Sequence, residues 1–229
     1  VRNDFEGNPD PKPRAERMND WELGYKYQAM RFSAGLNLYY MAYKDQFVLT
    51  GERNAIGEMI HRNVGSSYRE GIELQSAWKP FDCFRWDMNA TFSRNRAMDW
   101  TVTSNNNKAL SFGTTHLSFS PDLIFNNIFT FNSHGFEASL QSQYIGEQYM
   151  TNDNNRHLML DGYFISNLNL SYTFKMRSVK AITIGATIYN LFSEKYFTNG
   201  YASAGYDDNG KETKTESAYS PQAPLNFLA

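Results

Sequence analysis

The stretch Phe84-Arg85-Trp86-Asp87-Met88-Asn89-Ala90-Thr91-Phe92-Ser93 decides the fold. Phe84, Trp86, Met88, Ala90 and Phe92 fall on one parity; Arg85, Asp87, Asn89, Thr91 and Ser93 fall on the other. A helix would scatter these rings around its axis. A strand puts every second side chain on one face, so the rings line up. The stretch therefore predicts a strand with one apolar and one wet surface.

The same rule runs along the chain on both sides. Trp21, Leu23, Tyr25 and Tyr27 alternate with Glu22, Gly24 and Lys26, and Phe32, Ala34, Leu36, Leu38 and Tyr40 with Ser33, Gly35, Asn37 and Tyr39. Further runs carry Ile72, Leu74 and Trp78; Phe136, Ala138, Leu140 and Tyr144; Leu168, Leu170, Tyr172 and Phe174; and Ile182, Ile184, Ala186 and Ile188. A longer run from Thr115 to Phe131 is expected to bulge at Pro121, which cannot donate to a ladder. A short run begins near Leu225. This makes roughly nine strands, each near the length that a tilted membrane strand needs.

The connections alternate in length. Short turns are expected near Met30, at Pro80-Phe81-Asp82, at Ser133-His134-Gly135 and at Arg177-Ser178-Val179. Long polar loops are expected over Asp45–Ser67, Arg96–Phe112, Met150–Leu160 and Phe192–Tyr219. Tight turns at one end and large loops at the other are the outer-membrane barrel arrangement. A soluble β-sandwich also alternates along its strands, but nothing requires its long loops to share one end. Its polar faces would also carry more Lys and Glu than the Asn, Ser, Gln, Thr and Gly found here. The expected fold is all-β: a transmembrane antiparallel up-and-down β-barrel. Nine strands cannot close in lipid without leaving open edges, so further strands are expected upstream.

Composition agrees. Aromatic residues make up 16% of the chain (15 Tyr, 17 Phe, 4 Trp), yet mean hydropathy is -0.59. A lipid-facing surface backed by a wet one reconciles the two. With 22 Lys and Arg against 24 Asp and Glu, no basic stripe points to nucleic acid. The lone Cys83 excludes an internal disulfide and a CxxC motif. No apolar run is long enough for a transmembrane helix.

Catalytic and metal signals are weak. No Gly-x-Ser-x-Gly elbow occurs, so no enzyme is expected. His61, His116, His134 and His157 show no zinc-ligand spacing. Asp207-Asp208-Asn209-Gly210 resembles half a calcium loop without its terminal bidentate Glu, and it reads as a polar turn, as do Asp153, Asn154 and Asn155. No metal site and no cofactor are expected. Rings at strand ends (Trp21, Tyr27, Trp78, Phe81, Phe84, Tyr172, Phe174) read as an interfacial girdle. By parity Arg69, Glu73, Arg85, Asp87, Arg94 and Glu137 are expected on the wet face. Trp100, Tyr149, Arg156, His157 and Tyr206 lie in the long loops, where they cannot anchor in lipid, and are the candidates for ligand contact.

Several segments resemble TonB-dependent outer-membrane receptors of the Bacteroidetes type. They are Tyr39-Tyr40-Met41-Ala42-Tyr43-Lys44-Asp45-Gln46-Phe47-Val48-Leu49-Thr50-Gly51, Asn63-Val64 followed by Ser67-Tyr68-Arg69-Glu70-Gly71-Ile72-Glu73, Phe119-Ser120-Pro121, Tyr144-Ile145-Gly146-Glu147-Gln148-Tyr149, Tyr189-Asn190-Leu191-Phe192-Ser193-Glu194-Lys195-Tyr196 and Pro221-Gln222-Ala223. They occur in the family's order and cover nearly the whole chain. The resemblance implies a barrel of about 22 strands around a plug, with residues 1–229 as its C-terminal portion. Neither the plug nor a TonB box is visible in these residues. It further implies a multi-pass protein of the Gram-negative outer membrane, set in outer-membrane lipid and driven by TonB-ExbB-ExbD through the plug. The implied function is active import of a scarce, bulky nutrient: a ferric siderophore, haem or cobalamin. A glycan importer of the same family, working with a surface lipoprotein, and a passive porin or adhesin barrel are the alternatives.

Overall fold

The computed structural model describes residues 13–53, 58–175 and 180–228. The turn expected at Arg177-Ser178-Val179 and the middle of the loop expected at Asp45–Ser67 lie outside the described residues. In chain order the strands are β1 (Arg17–Gln28), β2 (Phe32–Arg53), β3 (Met59–Phe81), β4 (Phe84–Thr103), β5 (Ala109–His116), β6 (Leu123–Ser133) and β7 (Phe136–Ile145). They continue with β8 (Gln148–Tyr149), β9 (Met159–Leu160), β10 (Tyr163–Phe174), β11 (Ile182–Tyr189), β12 (Phe197–Tyr206), β13 (Glu212–Pro221) and β14 (Asn226–Leu228). One sheet runs β1-β2-β3-β4-β6-β7-β10-β11-β14, with β5 beside β4. Every pairing is antiparallel, as an up-and-down wall requires.

Register turns the sequence alternation into two surfaces. Trp21 faces Tyr40, Leu23 faces Leu38, and Tyr25 faces Leu36. Phe32 faces Trp78, Trp78 faces Trp86, and Trp86 faces Phe129. Most of these side chains stand open: Leu23 is 71% and Tyr25 67% exposed. Fully burying one such group is worth about 1.5–3 kcal/mol, so a continuous sheet of them demands an apolar surrounding. Rings collect at two levels. Trp21, Tyr40 and Tyr68 follow one another at 5.8 and 6.1 Å near the long-loop end, and Tyr27 and Phe32 lie 6.2 Å apart near the short turns. From Phe32 to Tyr40 β2 climbs about 26 Å at about 3.3 Å per residue, or about 20 Å along the membrane normal at a tilt of about 40°. That spacing suits the two interfaces of a thin bilayer.

The opposite face is held by neutral amides. Asn37 Nδ2 donates to Glu22 (3.2 Å) and Glu73 (3.3 Å). Asn126 bonds Asn89 at 2.9 Å and accepts from Gln143 at 2.8 Å. Arg69, Glu73, Arg85, Asp87 and Glu137 share this face, as expected. Arg94 does not. It shares parity with Phe92 and pairs with Glu70 at 3.8 Å. Registers place Trp21, Tyr40, Glu70 and Arg94 on one rung, so the ion pair sits at the aromatic level, where headgroups and water can solvate it.

Two more expectations are corrected. β2, β3 and β4 are 22, 23 and 20 residues long, about twice what a membrane crossing needs. Most of the loops expected at Asp45–Ser67 and Arg96–Phe112 is therefore ordered hairpin standing above the membrane. The single run from Thr115 to Phe131 is broken into β5 and β6. Phe119 takes φ 50° between them, and the Pro121 carbonyl accepts from Ser93 Oγ (3.0 Å) instead of joining the ladder. β4 thus templates β6 with its lower half and β5 with its upper half. The loops at Met150–Leu160 and Phe192–Tyr219 also carry structure, as β8–β9 and β12–β13 pairings.

Candidate functional site

A one-layer wall cannot bury much of itself. Among the described buried hydrophobic residues only Ala90 lies in the membrane part; Val48, Val64, Ala97, Trp100, Leu117, Met150, Leu158, Leu160, Ala202 and Tyr206 all lie in the projecting part. That part has its own hydrophobic cores. One joins Val48, Val64, Ala97, Trp100 and Leu117, with Val102 and Phe112 against it. The other joins Met150, Leu158, Leu160 and Ala202, with Phe119 and Ala204.

The segment Thr151-Asn152-Asp153-Asn154-Asn155 ties the loops together. Asn152 Nδ2 donates to the Leu49 carbonyl of β2 (2.5 Å), and its Oδ1 accepts from Ser118 N (2.7 Å). Asp153 accepts from Thr151 (2.5 Å) and from the Tyr206 hydroxyl of β12 (2.7 Å). Asn154 Oδ1 accepts from the His116 backbone N–H of β5 (2.8 Å). Asn155 Nδ2 donates to Glu212 of β13 (2.6 Å). Asx side chains can do this because they carry donors and acceptors on a short stem. Thr151, Asn152, Asp153 and Asn155 are buried, Asn152 to 1% exposure, so their polar atoms need these partners. Burial, then the hydrogen bond to the Asp153 carboxylate, pushes the Tyr206 hydroxyl well above the ordinary phenol range.

A second tie joins the β12–β13 turn to the β4–β5 turn. Asp208 accepts from Ser104 Oγ (2.6 Å) and Asn106 Nδ2 (3.1 Å), while Lys108 Nζ donates to the Asp208 carbonyl (2.7 Å). The Ser104 and Asn106 bonds, then the Lys108 charge, hold the Asp208 carboxyl below the usual range. Asp207 Oδ1 accepts from the N–H groups of Asn209 and Lys211 (2.9 Å each). The segment is thus a polar turn. Among the described residues no group of three or more His, Cys, Asp or Glu could hold a metal ion.

The five loop candidates do not converge. Trp100 is 5% exposed, inside the first core, with the Arg62 guanidinium 3.9 Å over its ring. Tyr206 is 4% exposed and lies edge-on to Phe112 at 5.0 Å. Both shape the loops from within. Tyr149 is half-buried against the His116 ring (4.6 Å). Arg156 and His157 are exposed, and His157 Nδ1 lies 3.5 Å from Glu212.

Sequence reasoning passed over a recess on the wet face below the loop cores. Gln46, Phe47, Leu49, His61, Arg69 and residues 117–120 line about 300 Å³. Asp45 takes φ 56° in β2, and the next residue, Gln46, reaches Ser67 of the wet face (2.6 Å). Phe47 stacks on His61 at 5.3 Å. Arg69 Nη1 donates to Asn95 Oδ1 (3.0 Å) and Ser120 Oγ (3.2 Å). Only the order Phe119-Ser120-Pro121 hinted at a chain break here.

Residues 2–191 match the family described as TonB dependent receptor-like, beta-barrel. The pesticin receptor of Yersinia enterocolitica is 23% identical over 193 residues, which cover 84% of this chain and 27% of that receptor. The ferric yersiniabactin uptake receptor FyuA from Yersinia pestis superposes with a TM-score of 0.66 at 18% identity, covering 93% of this chain and 29% of its own. The ferric citrate transporter FecA gives a TM-score of 0.66 at 16% identity, with 93% and 30% covered. The chain thus spans under a third of the length of these relatives.

Proposed function

The chain belongs to the TonB-dependent receptor β-barrel family, and on that premise we propose that the whole protein imports a ferric siderophore across the outer membrane, energised through TonB. The protein is an outer-membrane protein of a Gram-negative bacterium, and its family is one of receptors and transporters. The observation that carries the reading is the union of a lipid-facing wall with a wet inner face and a cross-linked loop assembly above it. The family match is what favours this reading over a passive pore. The receptors named above for ferric yersiniabactin and ferric citrate support an iron complex over haem, cobalamin or a glycan.

In this reading residues 1–229 form the C-terminal part of the barrel wall and of the ligand vestibule. Outer-membrane lipid covers the apolar face, and the wet face encloses a plug contributed by other parts of the protein. Arg156, His157 and Tyr149 contact ligand at the rim, while Trp100 and Tyr206 set the shape of the loops that hold it. The test is uptake of iron-55 siderophore complexes by cells with and without the gene, in strains with and without TonB. Loss of uptake on deleting either supports the reading. Uptake unchanged by deleting the gene, or persisting without TonB, overturns it.

A further inference from the structure

We infer that Arg17 and Lys44 form a binding site for the phosphates of a glycolipid in the outer leaflet; this rests on the outer-membrane placement of the wall and not on which cargo it imports. Position comes first. One rung of the wall carries Trp21, Tyr40, Glu70 and Arg94; two rungs towards the long loops, another carries Arg17, Lys44, Ser66 and Met98. The β1–β2 register runs unbroken between the two rungs, so Arg17 and Lys44 share the lipid-side parity of Trp21 and Tyr40. Both are exposed. Lys44 stands four residues beyond Tyr40, about 13 Å along the strand and about 10 Å along the membrane normal at a tilt of about 40°. Aromatic rings mark the boundary of the hydrocarbon, and a phospholipid headgroup layer above it is about 5–8 Å deep. The pair therefore stands at or past the outer edge of phospholipid heads, at a height that a head built of sugars reaches.

Charge comes second. Arg17 and Lys44 face each other directly across the two strands. Like charges so placed repel, and a fold keeps such a pair at a cost unless an anion lies between them. Among the described residues neither side chain has a carboxylate within ion-pair reach, whereas Arg14, Arg85, Arg96 and Lys214 have one at 3.0, 2.5, 3.3 and 2.5 Å. The carboxylates beside them in the chain are engaged elsewhere: Asp45 with Arg14, and Glu16 with the Phe47 N–H at 2.9 Å. On its other side Lys44 meets the uncharged Ser66. A phosphate bridging the guanidinium and the ammonium removes the repulsion and gains charge-assisted hydrogen bonds from both. Basic residues beside a bilayer draw anionic headgroups for the same reason. The apolar wall below, where Leu23 and Leu38 are 71% and 39% exposed, receives the acyl chains of the same molecule, which favours a lipid over free phosphate.

The test uses the full-length protein in detergent. The probes are lipid A with two phosphates, the same lipid A dephosphorylated, phosphatidylglycerol and inorganic phosphate. Arg17→Gln combined with Lys44→Gln should weaken binding of the bisphosphorylated lipid A at least tenfold. It should leave dephosphorylated lipid A and phosphatidylglycerol within twofold, and Lys214→Gln should change none of them. In the unaltered protein, saturating bisphosphorylated lipid A should slow acetylation of the Lys44 amine at least fivefold, read by peptide mass spectrometry, and dephosphorylated lipid A should not. That reading decides the matter even where the double variant fails to fold. Lys44 acetylation indifferent to lipid A, or equal binding by the variant and its parent, overturns the assignment. An equal loss of phosphatidylglycerol binding overturns the glycolipid, and equal protection by inorganic phosphate overturns the lipid.

Discussion

The Tyr206 hydroxyl donates to the Asp153 carboxylate across 2.7 Å, joining two loops that lie 53 residues apart in the chain. Both side chains are buried. Tyr206→Phe keeps the ring against Phe112 and leaves a buried carboxylate oxygen short of a donor, at a cost of about 1–3 kcal/mol. Protease nicking within residues 150–160 should then rise about tenfold, since about 1.4 kcal/mol is one decade in opening. Asp153→Ala also frees Thr151 and the Asn155 N–H and should raise nicking further. The hydroxyl's raised pKa means that its stabilising share is complete below the ordinary phenol value of about 10 and is lost as pH climbs through the raised value. Alkaline difference absorbance should therefore show late tyrosine ionisation that is smaller by one tyrosine in Tyr206→Phe. Unchanged nicking in Tyr206→Phe would remove the hub from the account.

Asp208 works in the other direction. Its folded pKa is lowered, so its share is present above the unfolded value of about 3.9 and is lost as pH falls through the lower folded value. Hydrogen-exchange protection at Asn105, Asn106 and Lys108, taken relative to the intrinsic rate at each pH, should fall below about pH 4 and hold above it. Asp208→Asn should abolish the pH step while leaving protection low throughout. A step that survives the substitution assigns it to another group.

Neighbouring residues on β1 test the two faces. Leu23→Arg places a cation in the lipid band and should cost about 2–4 kcal/mol, whereas Glu22→Arg, on the wet face, should cost under about 1 kcal/mol. Refolding into lipid vesicles, read by gel mobility with and without boiling, reports the difference. Equal effects would mean that the two sides of the wall are alike.

Gly71 admits no side chain. A Cβ there would lie 2.5 Å from the Phe92 carbonyl oxygen and 2.6 Å from the Tyr39 hydroxyl. Gly71→Ala should destabilise the wall by about 1–3 kcal/mol through overpacking, seen as a lower urea midpoint in vesicles. Adding Tyr39→Ala should recover only part of this, because the backbone oxygen cannot move aside. Full recovery would place the whole conflict on the Tyr39 ring.

By itself the sequence determined the wall. Side-chain parity is a local property of an extended chain, so Phe84, Trp86 and Phe92 reveal their common face without knowledge of any partner strand. Turn residues such as His134 and Gly135, both at positive φ, are equally local. The ordered segments from Tyr39 to Ala223 placed the wall in its family for the same reason. Only the tertiary structure decided what the loops do. Polar runs such as residues 151–155 look alike whether they are solvated turns or buried hubs, because their partners, Leu49, His116, Tyr206 and Glu212, lie far away in the chain. Trp100 and Tyr206 read as candidates for ligand contact because a polar loop gives no sign of a core of its own. Arg69 read as one wall charge among several. Its neutral company depends on how β5 and β6 part at Pro121 and bring Ser120 to it, and parity carries no information about that.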